Sequence, residues 1–254
     1  MAKALLIVEG ERLEPRFFSQ LAFLFEMQIE IVPFCANIYQ LYKKLEEYGF
    51  DYDVKQALYE QNPSDEAKAL LSQRYAYTYL IFDCDAHDCG KQPKSEAPLS
   101  ISEVVACNYT RLDKMIQYFT DETDPDRGKL YVNYPMMESF RDADDFYDKS
   151  YADRRVDFAD LIHYKEIVGR RKLAGIHIDK LSRDNAEALI RMNLCKLSKM
   201  LLGDWRIPDI DTYMGIHVQE DVFSAQSMLA SESLMDVINT SILLPLDYLG
   251  VMPV

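Results

Sequence analysis

Three acidic side chains stand where short apolar runs break off: Glu9 after KALLIV at 3–8, and Asp83 and Asp85 after YAYTYLIF at 75–82. Two aspartates at i and i+2 of an extended segment point the same way. With a glutamate set opposite, they offer hard oxygen ligands of the kind Mg²⁺ accepts, a few carboxylates completed by water. Crowded together without a cation, such charges repel one another. An Asp-x-Asp after a strand also serves as the start of a solvated loop, so its meaning depends on what brings Glu9 beside it.

The elements that must do this are legible. The run at 3–8 reads as a buried strand, Glu9-Gly10 as a tight turn, and ERLEPRFFSQLAFLF as a helix by its apolar spacing. Gly10 suits the sharp turn, and Glu11 and Glu14 sit early in the helix, where its dipole favours carboxylates. Pro15 is tolerated in a first turn. A second β-rich run at 28–34 completes a β-α-β unit and predicts parallel pairing. Helices are predicted from an Asn37 cap to 48 and over 65–74. The aromatic, β-branched run at 75–82 is a buried strand that ends on Asp83. Acids at the ends of two neighbouring parallel strands share the carboxyl edge, where open α/β sheets bind ligands.

Further on, the spacing predicts a helix over 102–119, a strand over 130–135 that exits at Pro135, and a helix in MMESFRDADDFY. Beyond 150 strand patterns fade, and 179–202 and 218–244 carry helical spacing. The expected architecture is α/β. It comprises a parallel sheet flanked by helices over 1–150, with a helical insertion at about 35–75, and a helical extension over 151–254.

Composition narrows the function. The chain has 254 residues and a net charge of −14, which excludes a protein that coats nucleic acid electrostatically. It leaves room for an enzyme that meets phosphates through bound cations. Five cysteines without a framework fit a reducing compartment. With no signal peptide or membrane span in view, the expectation is a cytoplasmic protein that does not engage a membrane.

VEGE at 8–11 after a first strand and IFDCD at 81–85 after a later one resemble the Toprim fold. That family includes primases, topoisomerases, recombination-mediator proteins and the overcoming-lysogenization-defect nucleases. NYPMMESF at 133–140 further resembles the Asn-Pro-x-x-Glu signature of small Toprim-like proteins from anti-phage and restriction-associated loci, with Tyr134 intruding between Asn133 and Pro135. The resemblance covers residues 3–140. It implies Glu9 as general acid or base, Asp83 and Asp85 as ligands of Mg²⁺ or Mn²⁺, and Glu138 completing a second metal position. Glu138 also reads as a helix acid beside the core residues Met136, Met137 and Phe140.

Other polar residues carry weaker expectations. Asp88 and His87 stand just beyond the pair, either as ligands or as solvated loop residues. Cys84 and Cys89 lack zinc or redox spacing and read as structural thiols. Arg154-Arg155 and Arg170-Arg171-Lys172 are the basic patches able to reach a nucleic-acid backbone, with surface salt bridges the favoured alternative. Lys165 is a candidate for stabilising phosphate. SILLPLDYLGVMPV at the C-terminus is expected to dock on the core.

The resemblance therefore implies a metal-dependent Toprim-type endonuclease that cleaves DNA or RNA such as tRNA. It would be the toxin-like effector of a bacterial anti-phage, abortive-infection system. No Gly-rich Walker loop is present, so an ABC-type or AAA ATPase sensor would be a separate partner, and a homo-oligomer is a further way to complete a binding groove. A non-catalytic Toprim-like binding module is the alternative from another class. A nucleotidyl-transfer or phosphatase-like enzyme would use the same metal site.

Overall fold

The structure, a computed structural model, describes residues 3–50, 53–60, 64–88, 99–120 and 127–250. Its centre is β1 (Ala4–Val8), in which all five residues are fully buried. A strand covered on both faces must be apolar throughout, which is why KALLIV does not alternate. Next come α1 (Leu13–Leu24), β2 (Ile29–Pro33), α2 (Ile38–Glu47), α3 (Val54–Glu60), α4 (Asp65–Leu71) and β3 (Tyr77–Asp83). Then follow α5 (Ile101–Phe119) and β4 (Lys129–Asn133). The four strands form one sheet in the order β2-β1-β3-β4, every pair parallel. The chain is thus α/β, a parallel sheet flanked by helices, as expected from its pattern.

Register decides where the acids go. Val8 lies opposite both Pro33 and Ile81, and Asp83 lies opposite Asn133. The carboxyl ends of β1, β3 and β4 are therefore level, and Glu9 leaves the sheet beside Asp83. The cap expected at Asn37 is formed, and the structure adds a second at Ser100. Asn37 accepts from the Gln40 N–H at 3.1 Å, and Ser100 and Glu103 make a reciprocal capping box on α5. The helical insertion is α2, α3 and α4.

Past β4 the chain departs from expectation. The segment expected as a helix after Pro135 is a short 3₁₀ turn, Met137–Arg141, followed by irregular chain. Asp142, Asp145 and Asp148 hold this stretch through local and cross-chain bonds: Asp145 and Asp148 accept from backbone N–H groups at Tyr147 and Ser150, and Asp142 accepts from Arg171. Short acids that bond nearby backbone compete with a helix. Later come β5 (Arg155–Asp157), α6 (Tyr164–Gly169), α7 (Arg183–Leu202), α8 (Ile210–Met214), α9 (Val218–Leu229), β6 (Leu234–Asp236) and α10 (Leu244–Leu249). The stretch predicted as one helix over 218–244 ends at Leu229, and Ser233 takes a left-handed turn, φ 58°, into β6. β6 pairs antiparallel with β5, a ribbon of three-residue strands too short to show periodicity.

Buried residues from both 1–150 and 151–254 join one hydrophobic cluster, and Ile242, Leu243 and Leu244 are fully buried in it. The apolar C-terminal stretch therefore docks on the core from Ser241 to Leu249, and 251–254 lie outside the described residues. Tyr134 also bridges Ile238 backbone to backbone, 2.9 Å in both directions. No described helix is long and apolar enough to cross a membrane.

Candidate metal centre

Glu9 is the first residue after β1, and the ladder continues through it: its N–H donates to Ile81 at 3.0 Å and its carbonyl accepts from Cys35 at 3.0 Å. That fixes the backbone on both sides and aims the side chain along the sheet edge. Its Oε2 accepts the Asp83 N–H at 2.9 Å. Asp83 closes β3 and is buried. Asp85 follows in a left-handed conformation, φ 36°, tolerated by Asp better than by most residues. Its N–H donates to the Pro135 carbonyl at 3.2 Å, tying the turn to the segment that carries Glu138.

Glu9, Asp83, Asp85 and Glu138 line one cavity of about 590 Å³, together with Glu14, Asn37, Arg12 and Lys165. The sequence-predicted acids are thus brought together, and Lys165 joins them with its Nζ 3.5 Å from Glu138 Oε1. Glu138 Oε2 is buried and has no hydrogen-bond partner among the described residues.

Glu14 stands in the first turn of α1, as its position in the sequence suggests, but that reading does not place it at the site. It does not merely sit in a favourable dipole; it is 7% exposed and lines the cavity. Gly10 lies four residues before it, in the turn that precedes α1. Gly10 is needed for closeness rather than for a positive φ: a Cβ there would lie 2.7 Å from Glu14 Oε2. The glycine leaves the space that the carboxylate fills.

The electrostatics follow from burial. The Glu9 carboxyl is pushed up to about 8, first by burial and then by the Asp85 charge. Burial, with Glu9 and Asp85 beside it, raises Asp83 well above the usual carboxylate range. Asp85 and Glu14 are raised for the same leading reason, though His87 and Lys165 pull Asp85 down. At Lys165 burial acts to lower the ammonium, but Glu138, Asp83 and Asp85 outweigh it and raise it.

The donor set fits a hard divalent cation: carboxylates only, one oxygen orphaned, and mutual repulsion that a cation would relieve. Among the described residues no three His, Cys, Asp or Glu side chains already stand close enough together to hold a metal ion. The acids instead surround a cavity, an arrangement suited to an ion that keeps several of its waters.

The remaining expectations separate cleanly. Asp88 does not line the cavity; Asn37 Nδ2 donates to its carboxylate, and Asn108 Nδ2 donates to its carbonyl at 2.7 Å. His87 stays off the cavity wall as well, and Cys84 is a buried thiol beneath the turn. Cys89 lies outside the described residues. Arg154 pairs with Asp142 and Asp148, Arg155 with Asp236, and Arg171 with Asp142. These arginines are engaged in salt bridges, the reading favoured over a nucleic-acid patch.

Compared with protein-family models, curated proteins and solved structures, the chain matches none.

Proposed function

We propose that this chain is a metal-dependent Toprim-type nuclease whose centre is the acidic cavity at the carboxyl edge of the sheet. The carrying observation is the convergence of Glu9, Asp83, Asp85 and Glu138 from three strand ends onto one cavity. The sequence resemblance in VEGE and IFDCD supports the same reading.

Asp83, Asp85 and Glu138, with Glu9 and Glu14 at hand, are the residues that would hold Mg²⁺ or Mn²⁺. The ion would supply Lewis acidity and charge neutralisation at a phosphodiester. Glu9 is the residue to which the resemblance gives the role of general acid or base; in the metal-free chain burial and the Asp85 charge push its carboxyl up to about 8. Its Oε2 is engaged by the Asp83 N–H, which fixes the carboxyl's orientation. Lys165 and Arg12, the cations lining the cavity, would meet the charge of the phosphate.

Binding of the polynucleotide must come from more than this surface, since a net charge of −14 repels phosphate at a distance. A partner ATPase or a second subunit would supply the rest. A cytoplasmic effector of anti-phage defence, acting on DNA or on RNA such as tRNA, is the role that the resemblance suggests. The test co-expresses wild type or Glu9→Gln with any genomically adjacent ATPase and scores DNA, tRNA and rRNA integrity. Cleavage by wild type alone supports the nuclease; identical behaviour of both hands the site to the non-catalytic binding module.

A further inference from the structure

α5 and α9, which pack against each other and both against β4, enclose a groove of about 560 Å³. Its walls are two helical stripes, Ala106, Thr110 and Asp113 on α5 and Glu220, Ser224 and Ser227 on α9. The spacings of three, four and seven residues put each set on one helix face. Most of these side chains are small, which permits close approach of another backbone. The floor is aromatic, with the Tyr109 and Phe223 rings 5.5 Å apart.

The groove carries one sign of charge. Asp113 and Glu220 line it, and no Lys, Arg or His does so among the described residues. An acidic, apolar-floored channel between helices fits an amphipathic helix that brings cations to the rim and an apolar side chain to the floor. Along α5 the lining runs from Ala106 to Gln117, a rise of about 16 Å, enough for roughly three turns of such a helix.

The same stretch of α5 holds the acidic turn. Asn108, 1% exposed, precedes Tyr109 and donates through one amide nitrogen to the carbonyls of Ala86 at 3.0 Å and Asp88 at 2.7 Å. Its Oδ1 accepts from Arg111 at 3.2 Å. Asn108 thus ties the groove-lining stretch of α5 to the backbone that follows Asp85.

We infer that the groove between α5 and α9 docks a basic amphipathic helix of a partner protein, and that Asn108 transmits its occupancy to the Asp83–Asp85 turn. The docking half stands independently of the nuclease reading; the significance of the transmission rests on it.

The probe is a synthetic helical peptide of about 14 residues with Arg and Leu on one face, titrated into the full chain and followed by NMR. Its partners are a groove variant, Asp113→Lys with Glu220→Lys, and a control that reverses exposed acids elsewhere, Asp204→Lys with Asp211→Lys. The expected result is binding to wild type and control, weakened at least about tenfold in the groove variant, with the Asn108 side-chain amide shifting on binding. No binding to wild type, or equal loss in both variants, overturns the docking site. Binding that leaves the Asn108 signal unmoved overturns the transmission. Both readouts are taken without divalent metal or nucleic acid, so a failure here leaves the cleavage assay to judge the nuclease on its own.

Discussion

Two of the regions in which this protein buries charge do so in opposite ways. Near the β5–β6 ribbon, Lys196 is completely buried, yet its ammonium donates to Asp236 at 2.7 Å and to the carbonyls of Ala152 and Arg154 at 2.9 and 3.1 Å. Every proton has an acceptor, and Arg155 adds a second cation to Asp236. At the sheet edge, Glu9, Glu14, Asp83, Asp85 and Glu138 crowd one cavity, with Lys165 as the cation in contact and one buried oxygen unpartnered. The first arrangement is closed and serves to join chain segments. The second is left uncompensated by the chain itself, and uncompensated buried charge of one sign marks a place where a ligand of the other sign belongs.

The contrast can be broken most forcefully at the closed site. Lys196→Met leaves two carbonyls without their donor and Asp236 with Arg155 alone. The expected loss is about 3 kcal/mol of stability, at the lower end for a broken buried pair because Arg155 remains. Chemical denaturation reads it, and an unchanged midpoint would mean that the pair contributes nothing.

At the open site the sign reverses. Asp83→Asn removes a carboxyl whose charged form is disfavoured by burial and by its neighbours, so the metal-free protein should gain about 1 kcal/mol in the same denaturation experiment. A loss of similar size would show that the carboxylate is satisfied by the chain after all.

A pH slope is the third expected effect. Glu9 is raised from an ordinary 4.5 to about 8 in the folded chain, so the folded state binds more protons than the unfolded state between those values. Its contribution to stability is complete below about 4.5 and is lost as pH rises through about 8. Thermal melts of metal-free protein across this window should fall with pH more steeply for wild type than for Glu9→Gln, and parallel curves would remove Glu9 as the source.

Much of the open site was legible and much of the closed one was not. Glu9, Asp83 and Asp85 follow short apolar runs whose composition reads as buried strands, and parallel strands of one sheet share a carboxyl edge. Glu14 was visible only as a first-turn acid, because dipole preference explains such residues without any cavity. Lys165 lies 27 positions beyond Glu138, and sequence spacing says nothing about a contact made by tertiary packing. The Lys196–Asp236 pair depends on β5 and β6, each three residues long, below the length at which alternation is distinguishable from chance. The segment after Pro135 carries helical spacing in its apolar residues, but Asp142 is drawn into Arg171 and Tyr164 instead.

The most direct test of the account is calorimetric titration of Mg²⁺ and Mn²⁺ into metal-free wild type and Asp83→Asn at neutral pH. The account predicts saturable binding by wild type and its loss in Asp83→Asn. Equal binding by both, or no saturable binding by wild type, would contradict the claim that the acidic cavity is a divalent-cation site.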